Sequence, residues 1–263
     1  MSYELPEVWK WEDESESLSG NRPDAGARFE QRLPRGEARF QVYSLGTPNG
    51  IKVVVMFEEL RELGVEADYD LFLIHIGEGD QFGSDFVDIN PNSKIPAMLD
   101  TGVEGGDLRV FESASIALYL ADEFGVLIPG DVRGRAEVVN WLFWQIGAAP
   151  YVGGGFGHFF SYAPEKMEYP INRFTMETKR QLDVLDKQLA GRDFVAGDEY
   201  SVADIVIWPW YGRLVLGDLY DGSAEFLNVG EYSNVLAWAE RVAERPAVKR
   251  ALDVEYKAIK DAE

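Results

Sequence analysis

The chain has 263 residues, with 46 Asp and Glu against 25 Lys and Arg, a formal net charge of −21, no cysteine and two histidines. The missing thiols exclude disulfides, thiolate metal sites and thiol chemistry on the protein, and His75 and His158 alone are a poor basis for a metal cluster or a Ser-His triad. The acidic balance argues against nucleic acid and anionic membrane as partners, so an anionic ligand needs a local basic pocket.

Hydrophobic residues at 46% and aromatics at 13% supply a packed core, and the length fits two modest domains or one large one. No apolar stretch reaches membrane-spanning length. The acidic first twenty residues, Met1 to Gly20, do not read as a signal peptide, so a cytoplasmic location is expected.

In chain order, residues 1–38 are polar, with Trp9, Trp11 and an Asn21-Arg22-Pro23 turn. Composition fits an arm lying over the body and a disordered leader equally well. Gln41 to Leu45 alternates as a strand, and Thr47-Pro48-Asn49-Gly50 turns into a helix from Ile51 to Leu63 that Gly64 stops. Tyr69 to Ile76 reads as the second strand and Phe82 to Asp88 as a short helix. Ile95 to Leu99 and Leu108 to Phe111 read as two further strands, followed by a helix over Ser113 to Phe124. This β-α-β-α-β-β-α order predicts a small sheet with helices against it. Ile128-Pro129 starts a linker, and from Glu137 onward the periodic segments are helical.

Within that second half, Tyr200-Ser201-Val202-Ala203-Asp204-Ile205 has the form of a capping box. Ser201 is the N-cap, Asp204 stands three residues later, and Tyr200 and Ile205 form a staple. The following Val206-Ile207-Trp208-Pro209-Trp210 is apolar all round, which predicts a helix central to the core. Gly153-Gly154-Gly155-Phe156-Gly157 lacks the Lys-Ser/Thr ending of a phosphate loop and reads as a flexible connection between helices.

Two short runs carry the functional signal. In Asn92-Ser93-Lys94-Ile95-Pro96, an X-Pro bond at a strand start that is cis turns its neighbouring backbone groups away from the sheet, where an extended peptide can pair with them. In Phe111-Glu112-Ser113, Glu112 and Ser113 open an apolar helix whose N–H groups and hydroxyl face an incoming carboxylate. Together they form a receptor for a small, extended, acidic peptide.

The order of these features resembles the glutathione transferase family over nearly the whole chain, and several segments resemble its nu class. Those segments are Tyr43 to Gly50, Gly79 to Phe82, Asn90 to Pro96, Trp141 to Trp144, Gly153 to His158 and Ile171 to Phe174. The resemblance implies a thioredoxin-like N-terminal domain (βαβαββα) followed by an all-α C-terminal domain. The expected divisions are an extension over 1–38, a glutathione-binding domain over 39–127 and a helical domain over 132–263. It further implies a glutathione-dependent disulfide-bond reductase, a cytoplasmic homodimer without metal. Two glutathione molecules, or glutathione disulfide, would occupy each site.

For the residues, the resemblance implies that the Thr47 hydroxyl and Asn49 amide hold the glutathione sulfur, whose free thiol has a pKa of about 8.5. The plain alternative is a turn and N-cap. Ile95, with Pro96 cis, would pair by backbone with the cysteinyl unit of glutathione, and Lys94 would meet the glycyl carboxylate unless it is an ordinary solvated charge. Glu112 and Ser113 hold the γ-glutamyl end, or act only at the helix terminus. Gln81 adds an amide contact, or faces water from a loop. Gln145 and Arg173 hold the second glutathione, reaching across a dimer interface, although a helical arginine is more often a surface residue. Asn21 and Arg22 close over the top. The glycine run borders the site with His158 nearby, unless His158 is packed in the core.

The alternatives are a transferase that conjugates electrophiles or reduces hydroperoxides, and a non-catalytic binding protein on the same fold. The latter predicts loss of Glu112-Ser113 or of Thr47-Pro48-Asn49, and both are present.

Overall fold

Phe40, Val42 and Tyr43 alternate across the pleat of the first strand, so its two faces serve two cores. The structure, a computed structural model, describes residues 4–11 and 20–259 of the chain. In it β1 (Phe40–Ser44) runs buried along its whole length. It lies parallel to β2 (Tyr69–Leu73) and antiparallel to β3 (Ala97–Asp100), which pairs antiparallel with β4 (Leu108–Phe111). Helices α1 (Pro48–Glu62) and α3 (Ser113–Phe124) cover the Phe40/Val42 face, and α2 (Ser84–Ile89) covers the Tyr43 face.

One boundary differs from the sequence reading in a way that bears on the site. Helix α1 begins at Pro48 rather than Ile51, because Pro48 is pre-set for the first helical position and Thr47 caps it. Asn49 therefore sits in the first helical turn, not in a turn before it. The sheet also gains an edge strand that was not anticipated, β5 (Lys257–Ala258), parallel to β2 and pinned by Lys257 Nζ to Asp70 Oδ1 at 2.5 Å. Two residues are too few to show a period.

Beyond the sheet, the chain is built of α4 (Val132–Pro150), a π-helical stretch (Tyr151–Tyr162), α5 (Glu168–Leu189), α6 (Val202–Val215), α7 (Ser223–Leu227), α8 (Ser233–Ala243) and α9 (Pro246–Leu252). Helix α6 is buried on nearly every side and packs on α1, α4 and α8, as its all-round apolar character predicts. Its capping box is present, and Asp204 also accepts from the Val195 N–H and the Trp238 indole at 2.9 Å each.

The glycine run is not a flexible connection. It lies inside the π-helical stretch, which follows α4 directly. A Cβ at Gly153, Gly155 or Gly157 would come within 2.4 Å of Trp210, 2.3 Å of Phe174 or 2.1 Å of Tyr220. The glycines admit three aromatic side chains against the helix backbone, a packing role that composition alone reads as looseness.

Residues 20–38 lie over the body. The Arg28 N–H donates to Phe82 O at 2.9 Å, its guanidinium sits 3.4 Å over the Phe82 ring, and Phe29 bridges Gly83. Tyr43 donates to Pro34 O at 2.8 Å, and Leu33 joins the core beneath α2. Trp9 is exposed, and Trp11 carries Arg22 over its ring. The part of the acidic leader at 1–3 and 12–19 lies outside the described residues.

Candidate functional site

A cavity of about 750 Å³ opens where the N-terminal ends of α1 and α3 meet α4, the π-helical stretch and α6. One wall belongs to the sheet domain. Thr47 caps α1 through its hydroxyl, which accepts from Gly50 N–H at 3.4 Å, and both Thr47 and Asn49 line the cavity. The capping alternative is thus true of Thr47 without excluding contact with a ligand. Asn49 Oδ1 accepts from the Trp210 indole at 2.9 Å, which fixes the amide so that Nδ2 is the remaining donor. The macrodipole of α1 adds partial positive charge at this end.

Ile95-Pro96 is cis, as expected, and Ile95 stands just before the first ladder pair of β3 at Ala97. Both line the cavity, with Lys94 beside them. The Lys94 ammonium, its pKa lowered by burial and by the Arg28 charge, donates to Asn21 Oδ1 at 2.6 Å. Asn21 brings the extension to the rim. Gln81 is buried, not facing water, and its Nε2 donates to Ile76 O at 3.3 Å.

Glu112 precedes α3 at φ 70° and ψ 121°, and its side chain makes no capping hydrogen bond. A non-glycine residue there costs of order 1–3 kcal/mol, which must be held by its surroundings. The carboxylate remains exposed at the cavity lining rather than folded back on its helix. Ser113, the first residue of α3, is buried and lines the cavity beside it.

The opposite wall is helical. Gln145 of α4 is fully buried, and its Nε2 has no hydrogen-bond partner among the described residues. Ile146, Ala149, Pro150, Trp210 and Tyr220 make the surface largely apolar, and Gly154, His158 and Tyr162 border it. His158 is therefore at the site and not in the core. Arg173 is exposed on α5 and does not line the cavity of the single chain; its charge acts on Glu177.

Sequence reasoning missed Lys52. It lies one helical turn inside α1, 1% exposed, and its ammonium donates to Ser113 Oγ at 3.2 Å and Gln145 Oε1 at 2.9 Å. Burial pulls its pKa down to about 7, against a smaller raising effect of Glu112. The signal was present as a lone cation in the otherwise apolar run Ile51 to Phe57. Lys52 and Lys94 give an acidic protein the local basic pocket that an anionic ligand requires. Among the described residues no group of His, Cys, Asp and Glu could hold a metal, and no helix is long and apolar enough to cross a membrane.

Comparison with known proteins shows the family of the chain. Residues 54–123 match the family described as Glutathione S-transferase, N-terminal domain, and residues 168–241 match Glutathione S-transferase, C-terminal domain. The chain is 58% identical over 252 residues to the disulfide-bond oxidoreductase YghU of Escherichia coli, covering 95% of this chain and 87% of that one. It is similar, with a TM-score of 0.94 and 61% identity, to the glutathione transferase YghU from Streptococcus pneumoniae complexed with glutathione, covering 98% of this chain and 100% of that one. A glutathione transferase from Burkholderia graminis, with two glutathione molecules bound per one protein subunit, matches with a TM-score of 0.75 and 39% identity over 82% of this chain and 88% of that one. By these matches in sequence and fold, this chain belongs to the glutathione S-transferase family.

Proposed function

We propose that the chain is a glutathione-dependent disulfide-bond reductase of the nu class, in which two bound glutathione molecules supply both thiols. The observation that carries this reading is a single cavity lined by Thr47, Asn49, Ile95, Glu112 and Ser113 in a protein with no cysteine. Its similarity to a disulfide-bond oxidoreductase and to a transferase holding two glutathiones supports it further.

The first glutathione lies along the sheet-domain wall. Its γ-glutamyl ammonium meets Glu112, its α-carboxylate meets Ser113, and Gln81 adds an amide contact. The cysteinyl unit pairs with the Ile95 backbone, and the glycyl carboxylate meets Lys94 under the Asn21 arm. Thr47 Oγ1 and Asn49 Nδ2 donate to the sulfur at the α1 N-terminus, which favours thiolate. That thiolate attacks one sulfur of the substrate disulfide, forming a glutathione mixed disulfide and expelling the first substrate thiolate. The second glutathione thiolate attacks the glutathione sulfur of that mixed disulfide, expelling the second substrate thiolate and leaving glutathione disulfide. The two thiol protons end on the two product thiols, so atoms and electrons balance.

Gln145 Nε2 and Arg173 hold the second glutathione. Since Arg173 lies outside the single-chain cavity, we place it at a homodimer interface. Exposed Phe143, Tyr151, Tyr169 and Met176 on α4, the π-helical stretch and α5 give that interface an apolar face. A cytoplasmic location fits a reaction that needs reduced glutathione. Conjugation of electrophiles is the second reading, favoured by the apolar helical wall.

A steady-state assay with glutathione and hydroxyethyl disulfide, coupled to glutathione reductase, tests the proposal. Turnover well above conjugation of a chloronitrobenzene is expected. Conjugation without disulfide turnover would move the assignment to the second reading.

A further inference from the structure

Lys52 is the one cation buried among the described residues that line the cavity, and the roles proposed above leave it unused. Its ammonium touches both walls at once, Ser113 Oγ on α3 and Gln145 Oε1 on α4. Each contact sets the polarity of its partner. A serine oxygen that accepts from Lys52 keeps its own O–H free to donate. A glutamine whose Oε1 accepts from Lys52 must turn its Nε2 outward as a donor, and that Nε2 is both buried and without a partner among the described residues.

We propose that Lys52 is a positioning residue that joins the two glutathione positions, holding the Ser113 hydroxyl and the Gln145 amide as donors toward carboxylates on opposite sides of the cavity. This rests on the two-glutathione reading above. It also makes ligand binding proton-linked. Burial holds the Lys52 pKa down to about 7, and the carboxylates of a bound ligand favour the ammonium. The complex therefore holds more protons than the free protein above that pH, and affinity falls as pH rises, by at most about tenfold per unit.

Glu112 faces Lys52 from the start of α3, and Lys94 lines the same cavity from the segment before β3. On α9, Arg245 and Arg250 are paired with Glu59 and Glu58 further along α1, and on α6 Arg213 lies near Asp218. His158 also lines the cavity, and the test must separate any contribution from it.

The experiment is calorimetric titration of the full chain with glutathione disulfide, which has no thiol to release a proton, at pH 6 to 8.5 in buffers of differing ionisation enthalpy. For the unaltered protein we expect net proton uptake on binding that grows from pH 6 toward pH 8.5, since burial lowers the Lys52 pKa and a bound carboxylate raises it. Lys52→Met, close in length and apolar, is expected to abolish the uptake and weaken binding about 10–100-fold at pH 6, the range for hydrogen bonds that involve a charge. Binding by the unaltered protein without proton uptake would overturn the proposal and leave the functional reading standing. Uptake that persists in Lys52→Met would assign the proton to another group and overturn it equally. Failure of the unaltered protein to bind glutathione disulfide would remove the functional reading and the proposal together.

Discussion

The two walls of the cavity were built by different kinds of sequence information. The sheet-domain wall comes from short contiguous runs, Thr47 to Asn49, Lys94 to Pro96 and Glu112-Ser113, each placed by the element it begins. The helical wall comes from single side chains of α4, the π-helical stretch and α6, brought together only by packing. A wall made of element termini presents backbone N–H groups, hydroxyls and helix dipoles, suited to recognising a fixed peptide-like ligand. A wall made of helix faces presents apolar surface and isolated polar atoms, suited to a partner whose shape varies.

The comparison breaks most sharply at Glu112 and Ser113. Combined Glu112→Ala and Ser113→Ala is expected to weaken glutathione binding about 100-fold or more, since each removes a charge-assisted contact. Equilibrium titration measures it, and a loss below about threefold would mean that the sheet-domain wall does not hold the γ-glutamyl end.

Next are Thr47→Ala and Asn49→Ala. Turnover is expected to fall about 10–100-fold with binding nearly unchanged, because the lost contacts act on the sulfur and not on the peptide. Asn49→Ala also strips the Trp210 indole of its acceptor, so it should lower stability by about 1 kcal/mol where Thr47→Ala acts only at the cap. Unchanged turnover in both variants would remove the thiol-activating role.

The helical wall is tested by a neighbouring pair. Gly155→Ala forces a Cβ to within 2.3 Å of the Phe174 ring and is expected to cost about 1–3 kcal/mol in denaturant unfolding. At Gly154 a Cβ meets nothing within 4 Å, so Gly154→Ala should fold as well as the parent while altering the choice among disulfide substrates. Equal stability of the two would contradict the tight packing of aromatics on the π-helical stretch.

The smallest effect expected is from Arg173→Ala, about 3–10-fold on the second glutathione and less on the first, consistent with one partly solvated contact. Equal weakening of both binding events in a titration would contradict its assignment to the second position.

What could be read in advance follows from the same contrast. The helix over Ser113 to Phe124 and the Ser201–Asp204 box are local in the chain, with their caps and periods written in adjacent residues. The partner of Asn49 is Trp210, on a helix of the second half, and those of Lys52 are on α3 and α4; no local pattern carries such pairings. Glycine spacing in Gly153 to Gly157 looked like freedom because the aromatics that require it, Phe174, Trp210 and Tyr220, come from three other parts of the chain. Strand β5 escaped for a similar reason, since its partner β2 lies far away in the sequence.

The central claim is that both thiols come from glutathione and that the exchange is completed on the protein. Its most direct test is the initial rate of hydroxyethyl disulfide reduction as a function of glutathione concentration, with the disulfide held fixed. Two positions acting in sequence predict a sigmoidal dependence, close to second order at low glutathione. A hyperbolic dependence, first order at low glutathione and with free mixed disulfide accumulating, would show that the second thiol acts in solution and would contradict the account.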